Sequence, residues 1–273
     1  MNIKPIEGLS YSQTLGYENR QWELHQFRSR YHRDEVTNNR GGWAKLEFSK
    51  TEHLTSEGYF TYLKEFKGGH SLNAVAGYSY FEKNGENFNA ENYDFGVEGL
   101  KYWDLGAGSY LTDGKAAMGS GKNITERLFA LYARANYSYN DKYMVSATIR
   151  HEGSSKFAAE NRWGNFWSVS AAWDMAKENF ISQYDWINML KLKASFGQQG
   201  NDNLYYKGYT NYYPYLDQFT VSGSDGVFSD GVLYYKGSKD ITWETSNSFN
   251  VGVDFALLGG RIDGTIGILQ PPD

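Results

Sequence analysis

Residues 142–150 read Lys-Tyr-Met-Val-Ser-Ala-Thr-Ile-Arg, and their side chains alternate between apolar and polar. Ser146, Thr148 and Arg150 fall on one side of this pattern, and the other side is apolar. A period of two is typical of a β-strand whose two faces meet different surroundings. Because one face includes a charged side chain, that face must contact water. The apolar side contains Tyr143, Val145, Ala147 and Ile149.

The same alternation recurs along most of the chain and predicts an all-β protein with antiparallel strands. The four prolines lie outside the alternating segments, as expected for uninterrupted hydrogen-bonded ladders. Helical signals are weak, and only residues 174–188 are expected to include a short helical turn. The nine predicted strands are 9–24, 44–66, 70–82, 126–139, 142–152, 164–176, 189–199, 242–256 and 260–269.

The predicted connections are alternately short and long. Three short ones, at 67–69, 140–141 and 259–260, have the glycine, asparagine and aspartate content of tight hairpin turns. The others are much longer than compact domains usually contain. Short turns at one edge of a sheet and long loops at the other are typical of transmembrane β-barrels, in which only alternate residues face lipid. The long connections are 83–125, 153–163 and 200–241.

Composition excludes several functions. The chain has 273 residues with 27 Lys and Arg against 32 Asp and Glu, and this acidic surplus argues against a nucleic-acid partner. The absence of cysteine excludes disulfides, thiolate metal sites and a cysteine nucleophile. The five histidines are scattered without metal-ligand spacing, so no catalytic residue, metal site or cofactor is expected. The first residues lack the apolar region of a secretory signal peptide.

Several motifs resemble one family of membrane proteins. Residues 132–143 (YARANYSYNDKY) cover a predicted strand, turn and strand, and 161–173 (NRWGNFWSVSAAW) follow them. Residues 190–201 (LKLKASFGQQGN) and 249–255 (FNVGVDF) come later in the same order. These segments are similar to the barrel of SusC/RagA-type TonB-linked outer-membrane transporters of Bacteroidetes, and the resemblance is dense over 59–255. Departures from the family pattern occur at Glu152, Lys156, Trp167 and Ala172.

This resemblance implies a plug domain inside a barrel of about 22 strands, a SusD-like lipoprotein that caps the extracellular mouth, and energy from the TonB complex. It implies import of glycans, oligosaccharides or peptides across the outer membrane, with the barrel exterior in contact with lipid. Nine predicted strands are far fewer than such a barrel requires. We therefore expect residues 1–273 to be a partial barrel domain, with plug and signal peptide absent. An open sheet leaves unpaired edges, so the chain alone is expected to be insoluble without detergent.

The polar faces of the predicted strands supply candidate lumen-facing residues. Polar side chains at these positions need not bind a ligand, since any water-filled barrel has a polar lining, and we favour this simpler interpretation. The candidates are Arg134, Asn136, Ser146, Thr148, Lys191 and Lys193.

The connection at 204–215 is rich in tyrosine. A tyrosine ring combines apolar area with a hydroxyl group, so these residues suit stacking on sugar rings or anchoring the capping lipoprotein. The alternative, slightly favoured, is that the rings pack the loop against itself. The candidates are Tyr205, Tyr206, Tyr209, Tyr212, Tyr213 and Tyr215.

Two other functions fit part of the pattern. A soluble, aromatic-rich β-sandwich that binds carbohydrate also has alternating strands and exposed tyrosines. A β-fold glycoside hydrolase is a further alternative, although sequence spacing alone does not place the two carboxylates that it needs. The contrast between strand faces, the turn asymmetry and the ordered motifs favour the transporter.

Overall fold

A computed structural model describes residues 2–220 and 232–270, and nearly all of its regular structure is antiparallel β-sheet. One short helix, α1, spans Arg33–Thr37. Within the described residues, no helix is long and apolar enough to cross a membrane. The strands are β1 (Asn2–Ile6), β2 (Leu9–Arg28), β3 (Trp43–Phe66), β4 (His70–Tyr93), β5 (Ala117–Tyr139), β6 (Tyr143–Ser154), β7 (Trp163–Asp174), β8 (Ile187–Asn201), β9 (Tyr205–Tyr206), β10 (Tyr209–Thr210), β11 (Gln218–Thr220), β12 (Val232–Tyr235), β13 (Glu244–Leu257) and β14 (Ile262–Gln270).

Ten strands form one sheet in the order β1-β2-β3-β4-β5-β6-β7-β8-β13-β14. Neighbours in the sheet are neighbours along the chain, except that β8 pairs with β13. The four short strands between them form two separate ladders, β9 with β10 and β11 with β12. In the described part of the chain, β1 and β14 each pair on one side only, so the sheet has two edges.

The chain divides into two compact units. Unit 1 contains residues 1–15, 55–81 and 127–273, and unit 2 contains 16–54 and 82–126. The four strands β2 to β5 contribute to both units.

Tight turns join the strands of unit 1 where the sequence predicts them. Asn140 and Asp141 adopt left-handed backbone with φ of 53° and 51° between β5 and β6. Asparagine and aspartate tolerate this conformation better than other side chains, since their short polar groups bond locally. Gly259 and Gly260 adopt φ of 70° and 79° between β13 and β14. These turns hold consecutive strands antiparallel, so the predicted hairpins are confirmed.

The sheet has one strand more than the nine predicted. The additional strand, β1, contains Pro5 and pairs with β2 through Ile3 and Ile6, with a register shift between them. Proline has no backbone N–H to donate, and it is tolerated here because β1 lies at the edge of the sheet. β1 was not among the nine predicted strands, which contain no proline.

Among the strands that exceed their predicted bounds, β4 and β5 do so by the most residues. β4 continues to Tyr93 and β5 begins at Ala117, so the connection between them spans 94–116 rather than 83–125. Side chains connect the added parts of the two strands, since the hydroxyl of Thr125 on β5 donates to Oδ1 of Asn84 on β4 at 3.2 Å. These residues are polar on both faces, and without an apolar face they give no alternation signal. The predicted turn within 174–188 is present as a single 3-10 turn at Met175–Lys177.

Aromatic rings fill the interior of unit 1 near the long-loop ends of β7, β8 and β13. The rings of Phe157 and Phe166 are buried, and their centroids lie 5.3 and 5.2 Å from that of Trp243. The indole N–H of Trp243 donates to the carbonyl of Arg162 at 2.9 Å, which fixes the ring. Gly200 makes room for the Phe166 ring, because a Cβ at that position would overlap it.

Unit 2 buries a charged side chain beside apolar ones. Glu35, on α1, is fully buried and pairs with Arg40, whose Nε lies 2.9 Å from Glu35 Oε2. The guanidinium of Arg40 also lies 4.5 Å from the ring centroid of Tyr93, and that of Arg28 lies 4.4 Å from the ring of Trp43. The ion pair with Arg40 offsets part of the cost of desolvating Glu35, and the ring of Tyr93 contacts the Arg40 cation.

The space left by Gly200 generates a first prediction. Gly200→Val is expected to lower the free energy of unfolding by about 1–3 kcal/mol, because the new side chain must displace the buried Phe166 ring. Urea unfolding of the full chain in detergent, followed by tryptophan fluorescence, measures the change. Gly96→Val is the matched control, since no atom lies within 4 Å of a Cβ at that position. Equal unfolding midpoints for the two variants would contradict this packing.

Candidate functional site

A row of small polar side chains crosses five strands on one face of unit 1. Register pairs Asn136 with Ser146, Ser146 with Ser170, Ser170 with Ser195, and Ser195 with Asn250. Paired residues of an antiparallel ladder point to the same face. The hydroxyl of Ser146 donates to Oδ1 of Asn136 at 2.7 Å, and the amide of Asn250 donates to Oγ of Ser195 at 3.3 Å. The row is therefore a continuous polar strip perpendicular to the strands.

The other predicted lumen residues lie on the same face. Arg134 pairs with Thr148 one step along β5 and β6, and its Nε donates to Oδ1 of Asn136 at 3.2 Å. Lys191 pairs with Asp254, and Lys193 lies two residues further along β8. The ammonium of Lys193 reaches Oδ1 of Asp254 at 2.5 Å. All six predicted residues thus share one face, although only Arg134, Asn136 and Ser146 are joined by hydrogen bonds.

This polar face borders a cavity of about 880 Å³ in unit 1. Its lining includes Asn136, Ser146, Ser195, Asn250 and Lys193. Serine and asparagine offer both donors and acceptors, so the wall can exchange hydrogen bonds with water or with a polar solute. Ser170, Ser195 and Asn250 are absent from the predicted set, although alternation in their own strands placed each of them on the polar side.

The opposite face of the same strands is apolar and uncovered. Ile149 is 56% exposed, and Val145 and Val169 on neighbouring positions are also exposed. A continuous apolar surface of this kind is unfavourable in water and marks contact with an apolar partner or a membrane. The two faces of one sheet therefore present two different chemical surfaces.

Aromatic rings form a second feature of the apolar face, at the tight-turn end of the strands. Ring centroids of His70 and Tyr139 are 4.7 Å apart, those of Tyr139 and Tyr143 are 6.4 Å apart, and those of Tyr143 and Trp173 are 6.4 Å apart. The row crosses β4, β5, β6 and β7. Rings of Phe129 and Trp163, 6.3 Å apart, occupy the same face toward the long-loop end.

Glu178 fixes the turn-end ring row from the connection between β7 and β8. Its carboxylate accepts hydrogen bonds from the hydroxyl of Tyr143 at 2.5 Å, the indole of Trp173 at 3.0 Å and the ammonium of Lys142 at 3.1 Å. These donors stabilise the charged form, so the pKa of Glu178 lies below its usual value, with the Tyr143 bond as the largest cause. One carboxylate thereby fixes rings of two adjacent strands.

The six predicted loop tyrosines separate into two groups. Tyr205 and Tyr209 are 68% and 78% exposed, on a two-strand hairpin whose turn has Lys207 and Gly208 at φ of 50° and 85°. Tyr206 instead packs edge-on against Tyr234 and Tyr235 and donates its hydroxyl to the carbonyl of Tyr234 at 3.3 Å. The remaining three, all half-buried, are Tyr212, Tyr213 and Tyr215.

The loop between β6 and β7 is held closed by buried polar contacts. The hydroxyl of Ser154 donates to Oδ2 of Asp202 at 2.8 Å, and the buried ammonium of Lys156 lies 3.4 Å from the same oxygen.

No group of three or more His, Asp or Glu side chains within residues 2–220 and 232–270 is arranged to hold a metal ion.

Comparison with known proteins identifies the family. The pattern described as "TonB dependent receptor-like, beta-barrel" matches residues 5–268. The chain belongs to this family. Its members are transporters and receptors of the outer membrane rather than enzymes, and the resemblance to SusC/RagA-type transporters is confirmed.

Individual relatives in the family are much longer than this chain. TonB-dependent receptor P3 of Formosa agariphila is 31% identical over 259 residues, which is 94% of this chain and 25% of the relative. TonB-dependent receptor SusC of Bacteroides thetaiotaomicron is 32% identical over 145 residues, 51% of this chain and 14% of the relative. The chain thus spans a quarter or less of the length of these relatives.

Among solved structures, the RagAB peptide importer in its closed-closed state has the same fold over 98% of this chain and 28% of its own. The TM-score is 0.86 at 21% identity, so the similarity is one of fold. The predicted antiparallel barrel segment is therefore confirmed as the fold class of this family member.

The two faces of β6 generate a second prediction. Ile149→Lys is expected to cost about 2–4 kcal/mol of folding free energy in a bilayer, because it places a charge on the apolar face. Thr148→Lys, one residue away on the polar face, is the control and is expected to cost less than about 1 kcal/mol. Urea unfolding from liposomes measures both values, with each variant made in the complete barrel of which this chain is expected to be a part. Equal costs would show that the apolar face does not meet lipid.

The carboxylate of Glu178 generates a third prediction, on pH. A lowered pKa in the folded state adds stability above the pKa of an unfolded glutamate, and this stability disappears as pH falls through the folded value. The free energy of unfolding is therefore expected to fall with acidification below the normal glutamate range, and Glu178→Gln is expected to remove this part of the pH dependence. Urea unfolding at a series of pH values checks it. Glu160→Gln, at an exposed residue of the connection between β6 and β7, is the control.

Proposed function

We propose that this chain forms part of the wall of an outer-membrane importer that takes up glycans, oligosaccharides or peptides with energy from the TonB complex. The observation that carries the proposal is the division of one continuous sheet into a polar and an apolar face. The polar strip and cavity face the lumen, and the apolar face meets the lipid of the outer membrane. Arg134, Asn136, Ser146, Thr148, Lys191 and Lys193 then line the transport path.

The spacing of the ring clusters supports a membrane position for the apolar face. Phe129 and Tyr139 lie on the same side of β5, ten residues apart. Phe129 belongs to the rings at the long-loop end, and Tyr139 belongs to the ring row at the tight-turn end. Ten residues of strand extend about 33 Å, and a strand tilt of about 40° reduces this to about 25 Å along the membrane normal. That height is the usual thickness of the apolar band between aromatic girdles of outer-membrane barrels.

The exposed tyrosines suit a partner at the long-loop end. Tyr205 and Tyr209 project from a hairpin that Tyr206 joins to β12 by its contact with the Tyr234 ring. Exposed, preorganised aromatic rings are frequent hot spots of protein interfaces. We assign this hairpin to contact with a SusD-like lipoprotein, and the packed tyrosines to support of the loop.

The free edges of the sheet support a larger barrel. β1 and β14 each lack a partner on one side in the described part of the chain, and unpaired backbone groups are strongly unfavourable in lipid. Residues 1–273 are then one part of a barrel domain, and the chain alone requires detergent. A soluble β-sandwich needs two packed sheets, whereas the described strands form one large sheet and two small ladders.

Uptake by cells tests the proposal. Deleting the gene is expected to abolish energy-dependent uptake of one class within a labelled panel of oligosaccharides and peptides, and collapsing the proton gradient is expected to have the same effect. The double variant Tyr205→Ala and Tyr209→Ala is expected to lower uptake about tenfold by weakening partner contact. Tyr184→Ala, an exposed tyrosine of the β7–β8 connection, is the control. Uptake that is unchanged on gene deletion would overturn the proposal.

A further inference from the structure

Unit 2 contains an aromatic cluster that the proposed transport wall does not use. The ring of Tyr102 lies between those of His25 and Trp103, with centroid distances of 5.0 and 4.9 Å. His25 lies near the end of β2, and the other two rings lie in the connection between β4 and β5. The backing of Tyr102 and His25 limits the number of positions that the Trp103 ring can take.

Trp103 presents most of its surface to solvent. Its side chain is 75% exposed, and its ring is tilted 45° from that of Tyr102. Tryptophan is the side chain with the largest apolar area, so holding it in water has a free-energy cost that a contact would recover. The arrangement is an open platform, unlike the enclosing cages by which aromatic rings bind organic cations.

Hydrogen bonds hold the connection in place on both sides of the platform. Before it, the carboxylate of Glu98 accepts from the backbone N–H of Arg30 at 2.6 Å and lies 3.2 Å from its guanidinium. After it, the buried amide of Asn92 donates to the carbonyls of Leu105 and Gly108 at 2.7 and 2.8 Å. A platform fixed before binding loses little entropy when a ligand arrives.

The backbone just before the platform is strained. Lys101 adopts φ of 50° and ψ of −127°, a backbone conformation that residues other than glycine seldom take. Such strain persists only where surrounding contacts impose it, and it is concentrated at functional sites. Here it turns the chain so that Tyr102 and Trp103 follow directly.

Polar groups beside the rings define what kind of ligand fits. Asp104 follows Trp103 and is exposed, and the exposed carboxylate of Glu23 lies 3.7 Å from Nε2 of His25. Carboxylates and imidazole accept hydrogen bonds from hydroxyl groups. A pyranose ring offers an apolar C–H face to an indole and hydroxyl donors at its rim, which matches this combination of flat ring and acceptors.

We infer that Trp103, Tyr102 and His25 form a sugar-contact site, with Glu23 and Asp104 as acceptors for sugar hydroxyls. This inference rests on the proposed function, which leaves open whether the cargo is a glycan or a peptide, and it assigns a glycan contact to residues of unit 2. Trp103 supplies the stacking surface and the flanking groups supply orientation.

Titration calorimetry of the full chain in detergent tests the site. The probes are linear neutral oligosaccharides of glucose, xylose and mannose, and lysine- and arginine-rich peptides of similar length. Trp103→Ala is expected to weaken binding of at least one sugar series about tenfold, and Trp103→Phe is expected to retain part of the affinity. Trp22→Ala is the matched control, since Trp22 is an exposed tryptophan of the same unit outside the cluster.

The outcomes separate this inference from the proposed function. Loss of sugar affinity in Trp103→Ala but not in Trp22→Ala supports the site. No sugar binding, equal effects of both variants, or peptide binding that depends on Trp103 overturns it. In cells, glycan uptake that requires the gene but is unchanged by Trp103→Ala overturns the site alone, whereas sugar binding without any gene-dependent uptake overturns the importer alone.

Discussion

Cross-strand register is the constraint on which the rest of this structure depends. Each ladder pairs a polar residue with a polar residue, from Asn136 through Ser146 and Ser170 to Ser195 and Asn250. A slip of one residue in any ladder would exchange the two faces of that strand. The tight turns at 140–141 and 259–260 prevent such slips, because they fix which residues of consecutive strands face each other.

Register also explains where charge and aromatic rings are found. Lys193 on β8 and Asp254 on β13 form an ion pair on the polar face, so each charge has an opposite charge beside it and neither lies on the apolar face. The rings of Tyr139, Tyr143 and Trp173 meet on the other face, where Glu178 holds two of them. At the long-loop ends, Gly200 on β8 leaves space for the ring of Phe166 on β7, so a large side chain lies beside a residue that has none.

Sequence alone predicts the elements whose two faces differ. β6 and β13 alternate clearly because one side of each is apolar and the other polar, and all six candidate lumen residues do share a face. Residues 82–93 gave no such signal, since both faces of that part of β4 are polar. β1 was missed because Pro5 argues against a strand unless the strand is known to lie at an edge.

The candidate sites were harder to predict than the fold. Which of the loop tyrosines are exposed depends on β11, β12 and the hairpin turn at Lys207, whose pairing is not visible in the local sequence. The cluster of His25, Tyr102 and Trp103 joins residues far apart in the chain, so no spacing rule reveals it. α1 is equally hidden, because its N-cap is the ring of His32, which accepts from the backbone of Asp34, and not one of the usual capping side chains.

The division of β2 to β5 between two units has a consequence for how such proteins diversify. The part of each strand in unit 1 carries alternate apolar residues, and substitutions there are limited by two surroundings at once. The parts of β4 and β5 in unit 2 are polar on both sides, so they accept a wider range of side chains while the rest of each strand keeps the ladder in register. A single strand can thus combine a slowly changing half with a rapidly changing one, and new recognition surfaces can arise without redesign of the wall.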